Sequence, residues 1–203
     1  MPYLGMFETR NLHVLNFGPY DFSLEAGECL VISGPSGSGK SVLLRALADL
    51  NQSDGEVLLD GVERNSMSGP VWRQKVRYLA AEPGWWAETP VEHFHDSGWL
   101  RQNLAMLGLE KSLEDRPVSQ LSTGERQRMA LLRALEDNPD VLLADEPTAA
   151  LDEESIEKAQ ILLRKYLDEG GVLLLVTHSS KQARAFATKR IKLEPKRDFE
   201  GAA

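Results

Sequence analysis

Gly34-Pro35-Ser36-Gly37-Ser38-Gly39-Lys40-Ser41 fills every fixed position of the phosphate-loop pattern G-x-x-x-x-G-K-[ST]. The motif constrains the chain on both sides. Cys29-Leu30-Val31-Ile32-Ser33 before it reads as a short buried strand, and Val42 to Leu50 after it carries one apolar face, as a packed helix does. Glycines let the backbone turn successive N–H groups inward around an anion. The helix adds its positive end at the same place. Lys40 can reach the β- and γ-phosphates as a point charge, and the Ser41 hydroxyl can ligate Mg²⁺, a hard ion that takes oxygen. A bound nucleoside triphosphate is therefore expected. The alternative is a glycine-rich turn that holds nothing.

With 203 residues the chain can build one full core, or a core with an inserted lobe. The hydrophobic share of 42% and charged share of 27% place it among soluble globular proteins. A net charge of −8 argues against a nucleic-acid surface, which would carry a basic face. The single cysteine, Cys29, cannot close an internal disulfide, and a reduced cytosolic setting fits. The longest apolar runs, Val172–Val176 and Val141–Ala144, are strand-sized and cannot span a membrane. No basic segment followed by an apolar stretch opens the chain, so no signal peptide is expected. A link to a membrane is expected only through a partner.

In chain order, Leu12, Val14, Leu15, Phe17, Phe22 and Leu24 predict two or three short strands broken by Gly18-Pro19. Asp60-Gly61 between apolar stretches predicts a tight hairpin, and Val76–Ala80 a further strand. From residue 83 the pattern changes. Pro83, Gly84 and Pro90 punctuate a stretch loaded with Trp85, Trp86, Phe94 and Trp99, which predicts short helices with a small core of their own. Leu121 opens a helix running to about Asp137, with Ser122 and Glu125 spaced as a capping box. Asn138-Pro139 stops it. Asp140–Ala144 is a continuous apolar strand that ends in Asp145-Glu146-Pro147, at the strand edge where open parallel sheets bind ligands. A helix from Glu153 to Asp168 follows, then a strand at Val172–Val176 ending in Thr177-His178. Strands alternating with helices predict an α/β fold with a mostly parallel sheet. The polar tail from Pro195 to Ala203 is expected to fray.

Taken together, these motifs resemble those of ATP-binding cassette (ABC) ATPases, the nucleotide-binding subunits of ABC transporters. The phosphate loop stands at 34–41. Leu121-Ser122-Thr123-Gly124-Glu125 resembles the family signature L-S-G-G-[QE], with Thr123 replacing its first glycine. Val141–Asp145 resembles the Walker B strand, Ala149-Ala150-Leu151-Asp152 the D-loop S-A-L-D, and His178 stands at the family's switch histidine. The resemblance implies a phosphate-loop NTPase core (1–82 and 136–203), an N-terminal antiparallel β subdomain and a helical lobe at 83–135, all in one ABC ATPase domain. It implies ATP and Mg²⁺ as ligands, with Ser41 and Asp145 on the metal, Glu146 as the general base and His178 at the γ-phosphate. It also implies a homodimer that encloses two ATP molecules. In it Ser122, Thr123, Gly124 and Glu125 of each chain would face the other chain's γ-phosphate, with Asp152 at the interface. The implied partner is a separate transmembrane permease, which would hold the chain on the inner face of the cell membrane. Metal ion export is the transport class most similar, on the compact helical lobe and the run Ala81-Glu82-Pro83-Gly84-Trp85-Trp86.

Three departures stand out. Ala81 occupies the position where the family carries a glutamine on Mg²⁺, which implies slower or less tightly gated hydrolysis. Phe17 and Tyr20 are both candidates for the aromatic that the family stacks on adenine. Trp85 and Trp86 follow the loop where the family docks its permease, and serve either as core anchors or as docking residues. Two other function classes fit less well. DNA-repair and translation ABC proteins carry a long inserted coiled coil or two cassettes, and a small-molecule kinase would not account for 121–125, 149–152 and His178 together.

Overall fold

The computed structural model describes residues 5–194; the tail expected to fray lies outside them. Two nine-residue strands open the chain, β1 (Met6–Val14) and β2 (Phe17–Glu25), where shorter ones were expected. They pair antiparallel, and Gly18-Pro19 falls inside β2 rather than between strands. β2 is an edge strand of the order β2-β1-β4-β5, and an edge is where a strand tolerates proline. β4 (Asp54–Leu59) pairs antiparallel with β1 and turns into β5 (Val62–Glu63). The turn is Asp60-Gly61, with φ of 55° and 74°, the positive pair that a primed hairpin turn requires.

The second sheet is wholly parallel, with five strands in the order β6-β7-β8-β3-β9. These are β3 (Cys29–Ser33), β6 (Val76–Leu79), β7 (Val141–Asp145), β8 (Val172–Val176) and β9 (Lys189–Lys192). Every residue of β7 and β8 is buried, as expected of strands covered on both faces. Side chains alternate between two cores. Leu30, Ile32, Val141, Leu143, Val172 and Leu174 face α1 (Lys40–Leu47), α2 (Gly69–Lys75) and the antiparallel sheet. Val31, Leu142, Ala144, Leu173 and Leu175 face the other way, onto α4 (Thr123–Leu135), α5 (Glu153–Asp168) and Phe186 of α6 (Ser180–Phe186).

That second core continues into the stretch after residue 83. It contains α3 (Ser97–Asn103) and four single turns of 3₁₀ helix, at Pro90–His93, Leu104–Leu107, Lys111–Leu113 and Val118–Gln120. Phe94, Leu100, Leu104 and Leu107 are buried there in the same cluster as Leu131 and Leu163. Phe94, Leu100, Leu104 and Leu107 therefore pack with α4 and α5, and do not form a separate core. Because all five strands of the parallel sheet run one way, their C-terminal ends share one edge. Gly34–Gly39, Ala80-Ala81, Asp145-Glu146 and Thr177-His178 all emerge there.

Candidate active site

Gly34–Gly39 leaves β3 and enters α1 at Lys40. Gly39 takes φ 87° at the helix N-cap, and a side chain there would lie 3.1 Å from the Phe17 ring. Gly37 takes φ 78° with nothing within 4 Å of where a Cβ would sit, so the crown of the loop is open. No side chain caps α1, so its first N–H groups remain available to an anion. Lys40 is 9% exposed, and its Nζ donates to the carbonyls of Gly34 and Pro35 at 2.9 Å each. The Ser38 hydroxyl is fully buried, without a hydrogen-bond partner among the described residues. An uncapped helix start, a buried orphan hydroxyl and an ammonium held only by carbonyls fit a polyphosphate. Pro35, Ser36 and Ser41 are exposed around this cradle.

Asp145 ends β7 and is buried; its carboxylate accepts from the Tyr78 hydroxyl at 3.1 Å. Burial and then the Asp145 charge push the Tyr78 phenol well above its ordinary range, so it stays a donor. Asp145 and the Ser41 hydroxyl supply the oxygen donors that Mg²⁺ prefers. Glu146 has φ 48°, a left-handed conformation unusual for this residue type. Its N–H still bonds Val176 O at 3.0 Å, so the turn away from the sheet begins there. His178, just past β8, places Nε2 3.0 Å from Glu146 Oε1. The two side chains are 62% and 30% exposed respectively, so solvent reaches the pair.

The Ser122–Glu125 turn is a complete capping box. The Ser122 hydroxyl accepts from Glu125 N at 3.2 Å, while the Glu125 carboxylate accepts from Ser122 N at 2.7 Å. The bonds it accepts from the Ser122 N–H and then from the Ser122 hydroxyl hold the Glu125 carboxyl below its usual range. Ser122 and Thr123 are exposed, and Gly124 lies against Ala150 and Leu151, where a side chain would come within 3.3 Å of Ala150 O. Asp152 caps α5 by accepting from Ser155 N at 2.8 Å, which lowers its pKa. Among the described residues no hydrogen bond joins this turn to Gly34–Ser41. One chain thus brings the phosphate loop, Asp145, Glu146 and His178 to one edge, and presents Ser122–Gly124 on a surface elsewhere.

A family model described as ABC transporter matches residues 17–149. The chain belongs to the ABC transporter family. It is the ATP-binding subunit of that family and an ATPase. The "Probable iron export ATP-binding protein FetA" of Escherichia coli (strain K12) is 34% identical over 187 residues, covering 86% of this chain and 83% of that protein. The "Cytochrome c biogenesis ATP-binding export protein CcmA" of the same strain is 31% identical, covering 94% and 97%. Among solved structures, the ATP-binding cassette MJ0796, in a dimeric post-hydrolysis state bound to ADP and Pi, superposes with a TM-score of 0.77 at 30% identity, covering 94% of this chain and 97% of that one. Among the described residues no helix is long and apolar enough to cross a membrane.

Phe17 and Tyr20 separate once the fold is known. Tyr20 packs on the core beneath the antiparallel sheet, and burial raises its pKa. Phe17 is half-buried, with its ring against Gly39 of the phosphate loop. Trp85 and Trp86 separate too. Trp85 packs on the core, whereas Trp86 is 74% exposed. The Arg133 guanidinium lies 4.6 Å from the Trp85 ring centroid and 4.9 Å from that of Trp86. His93, buried under both rings, accepts from Trp86 N and Ala87 N through Nε2 at 2.9 and 3.1 Å. Sequence reasoning missed this histidine, the Tyr78–Asp145 bond, α2 with its buried Trp72, and Gln182.

Proposed function

We propose that this cassette hydrolyses ATP between two copies of itself, with Glu146 as general base, and drives a separate membrane permease. The observation that carries the reading is the Glu146–His178 contact of 3.0 Å beside the phosphate loop, on adjacent strand ends. Glu146 takes a proton from the attacking water, and His178 orients that water at the γ-phosphate. Lys40 exchanges the Gly34 and Pro35 carbonyls for phosphate oxygens, and backbone N–H groups of 34–41 hold the chain of phosphates. Ser41 and Asp145 would hold Mg²⁺, which when bound neutralises charge on the phosphate oxygens. Phe17 is the better placed aromatic for adenine.

Ser122, Thr123 and Gly124 complete the partner's site, because an exposed helix start with spare N–H groups suits a γ-phosphate across an interface. Mixing two dead variants tests this arrangement. Lys40→Ala and Ser122→Arg chains should each be inactive alone. Their mixed dimer regains one intact site and measurable ATPase activity. Mixtures that stay inactive, while each variant still dimerises, argue against a shared site.

The dimer places the chain on the inner face of the membrane through its permease. The exposed Trp86, backed by Arg133 and His93, is the docking anchor; it borders a cavity of about 260 Å³ lined by Arg77, Tyr78, Ala130 and Arg133. Trp86→Ala should weaken co-purification with the permease by about tenfold or more, as loss of an aromatic anchor does. It should leave the ATPase rate of the isolated cassette within twofold. Unchanged co-purification would remove Trp86 from that role. Likeness to a probable iron export protein supports a metal ion as cargo.

Ala81 is exposed at the strand edge and offers no ligand atom. Ala81→Gln is expected to raise the ATPase rate and to lower the Mg²⁺ concentration needed for half-maximal activity. No change in either measurement counts against a deficit at this position.

A further inference from the structure

We propose that Gln182 is a positioning residue for the Glu146–His178 pair: its buried side-chain amide ties the turn holding the histidine to the segment leaving the glutamate. The proposal rests on the roles given to those two residues above.

The need for a tie follows from the backbone. β7 and β8 are in register through Asp145 and Val176. Beyond that rung, among the described residues, only the Glu146 N–H to Val176 O bond continues the backbone ladder, and the left-handed φ of Glu146 swings its chain off the sheet. The ladder therefore does not set the separation of the two side chains. Packing does little for His178, whose side chain is 62% exposed.

Gln182 supplies what the ladder lacks. It sits in α6 at 1% exposure. Its Oε1 accepts from the Thr177 hydroxyl at 2.7 Å and from the Thr148 hydroxyl at 3.4 Å. Thr177 immediately precedes His178, and Thr148 follows Glu146 by two residues. The Thr177 oxygen is engaged a second time, accepting from Ser179 N at 3.1 Å, so the turn around His178 is held from both sides. Ser179 and Gln182 have the spacing of a capping box, in which the glutamine would reach back to Ser179 N. Here the Ser179 N–H goes to Thr177 instead, and the glutamine faces inward. Its Nε2 has no hydrogen-bond partner among the described residues. Only the acceptor half of the amide is used, so a carboxylate of the same shape could take both hydroxyl bonds without an idle N–H.

The test is steady-state ATPase kinetics on the full chain, with kcat and KM resolved. Gln182→Met, which keeps the volume and removes the acceptor, should lower kcat at least tenfold with KM within twofold. Gln182→Glu should restore kcat to within threefold of the parent. Thr177→Val removes the shorter bond from the other side. It should reproduce the kcat loss and add little when combined with Gln182→Met. It carries the test alone if Gln182→Met does not fold. A parent-like kcat in Gln182→Met or in Thr177→Val overturns the proposal. So does a rise in KM matching the loss in kcat, or a glutamate that fails to restore turnover. Glu146→Gln is measured alongside. If it is inactive while Gln182→Met turns over normally, the tie fails and the base assignment stands; if Glu146→Gln is active, the base assignment fails.

Discussion

Glu146→Gln should abolish steady-state ATP hydrolysis, lowering kcat by roughly 10²- to 10⁴-fold, the range a positioned general base contributes. The substitution keeps the shape of the side chain and leaves an amide oxygen that can accept from His178, 3.0 Å away. It removes only the capacity to take a proton. Lys40, the phosphate loop and Asp145 are untouched, so nucleotide affinity should stay within a few-fold. ATP would then persist between two chains, and size exclusion with ATP and Mg²⁺ should show a dimer that the parent chain does not accumulate. An isosteric variant that turns over at the parent rate removes Glu146 from the base role. A variant that is dead yet strictly monomeric at every protein concentration keeps the base but removes the shared site.

The largest stability effect is expected at Trp72, far from the chemistry. Trp72 is fully buried in α2, its ring 6.5 Å from that of Phe7, and its indole N–H donates to Leu47 O at 2.8 Å. Leu47 ends α1, the helix that starts at Lys40. Trp72→Ala should cost about 3–5 kcal/mol through lost burial and the cavity left behind. The Leu47 carbonyl also loses its donor. For a domain of this size that corresponds to a fall in Tm of roughly 6–20 °C. Trp72→Phe should cost less, since it keeps most of the buried area and forfeits mainly the indole bond, about 1–2 kcal/mol. Urea denaturation of the three proteins separates the contributions. A Trp72→Ala protein within 1 kcal/mol of the parent would mean that α2 is not part of the cooperative core.

These two residues differ in how far the sequence reveals them. Glu146 lies at the end of a continuous apolar run bounded by Asn138-Pro139 and Pro147, so strand, strand end and the carboxylate at that end follow from local pattern. The same is true of α5 and β8, whose observed bounds are the expected ones, and of the Asp60-Gly61 hairpin. Trp72 stands in a seven-residue helix, too short for its periodicity to register, beginning at Gly69-Pro70. β1 reaches nine residues because β4, some forty positions later, pairs along it, and no local pattern announces that partner. Gln182 follows from no local pattern, since its partners Thr148 and Thr177 meet only in the fold. The shared placement of the phosphate loop, Asp145, Glu146 and His178 is legible, because each ends or follows a strand of one parallel sheet. The choice between Phe17 and Tyr20 was not, since it depends on which side chain meets Gly39 and which meets the core. The signature turn is legible as a motif, but the γ-phosphate proposed for it belongs to a second chain.

One helix connects the two surfaces on which the proposed cycle depends. α4 begins at Thr123, next to the Ser122 cap, and carries Arg133, ten residues further on, beneath Trp85 and Trp86. At about 1.5 Å per residue those points are ~15 Å apart along a rigid rod. A tilt of about 10° pivoting near one end moves the other by nearly 3 Å. Geared in this way, the opening or closing of the proposed nucleotide seam would become a stroke at the tryptophan pair. The same lever would run in reverse, so a load on Trp86 would reach the seam.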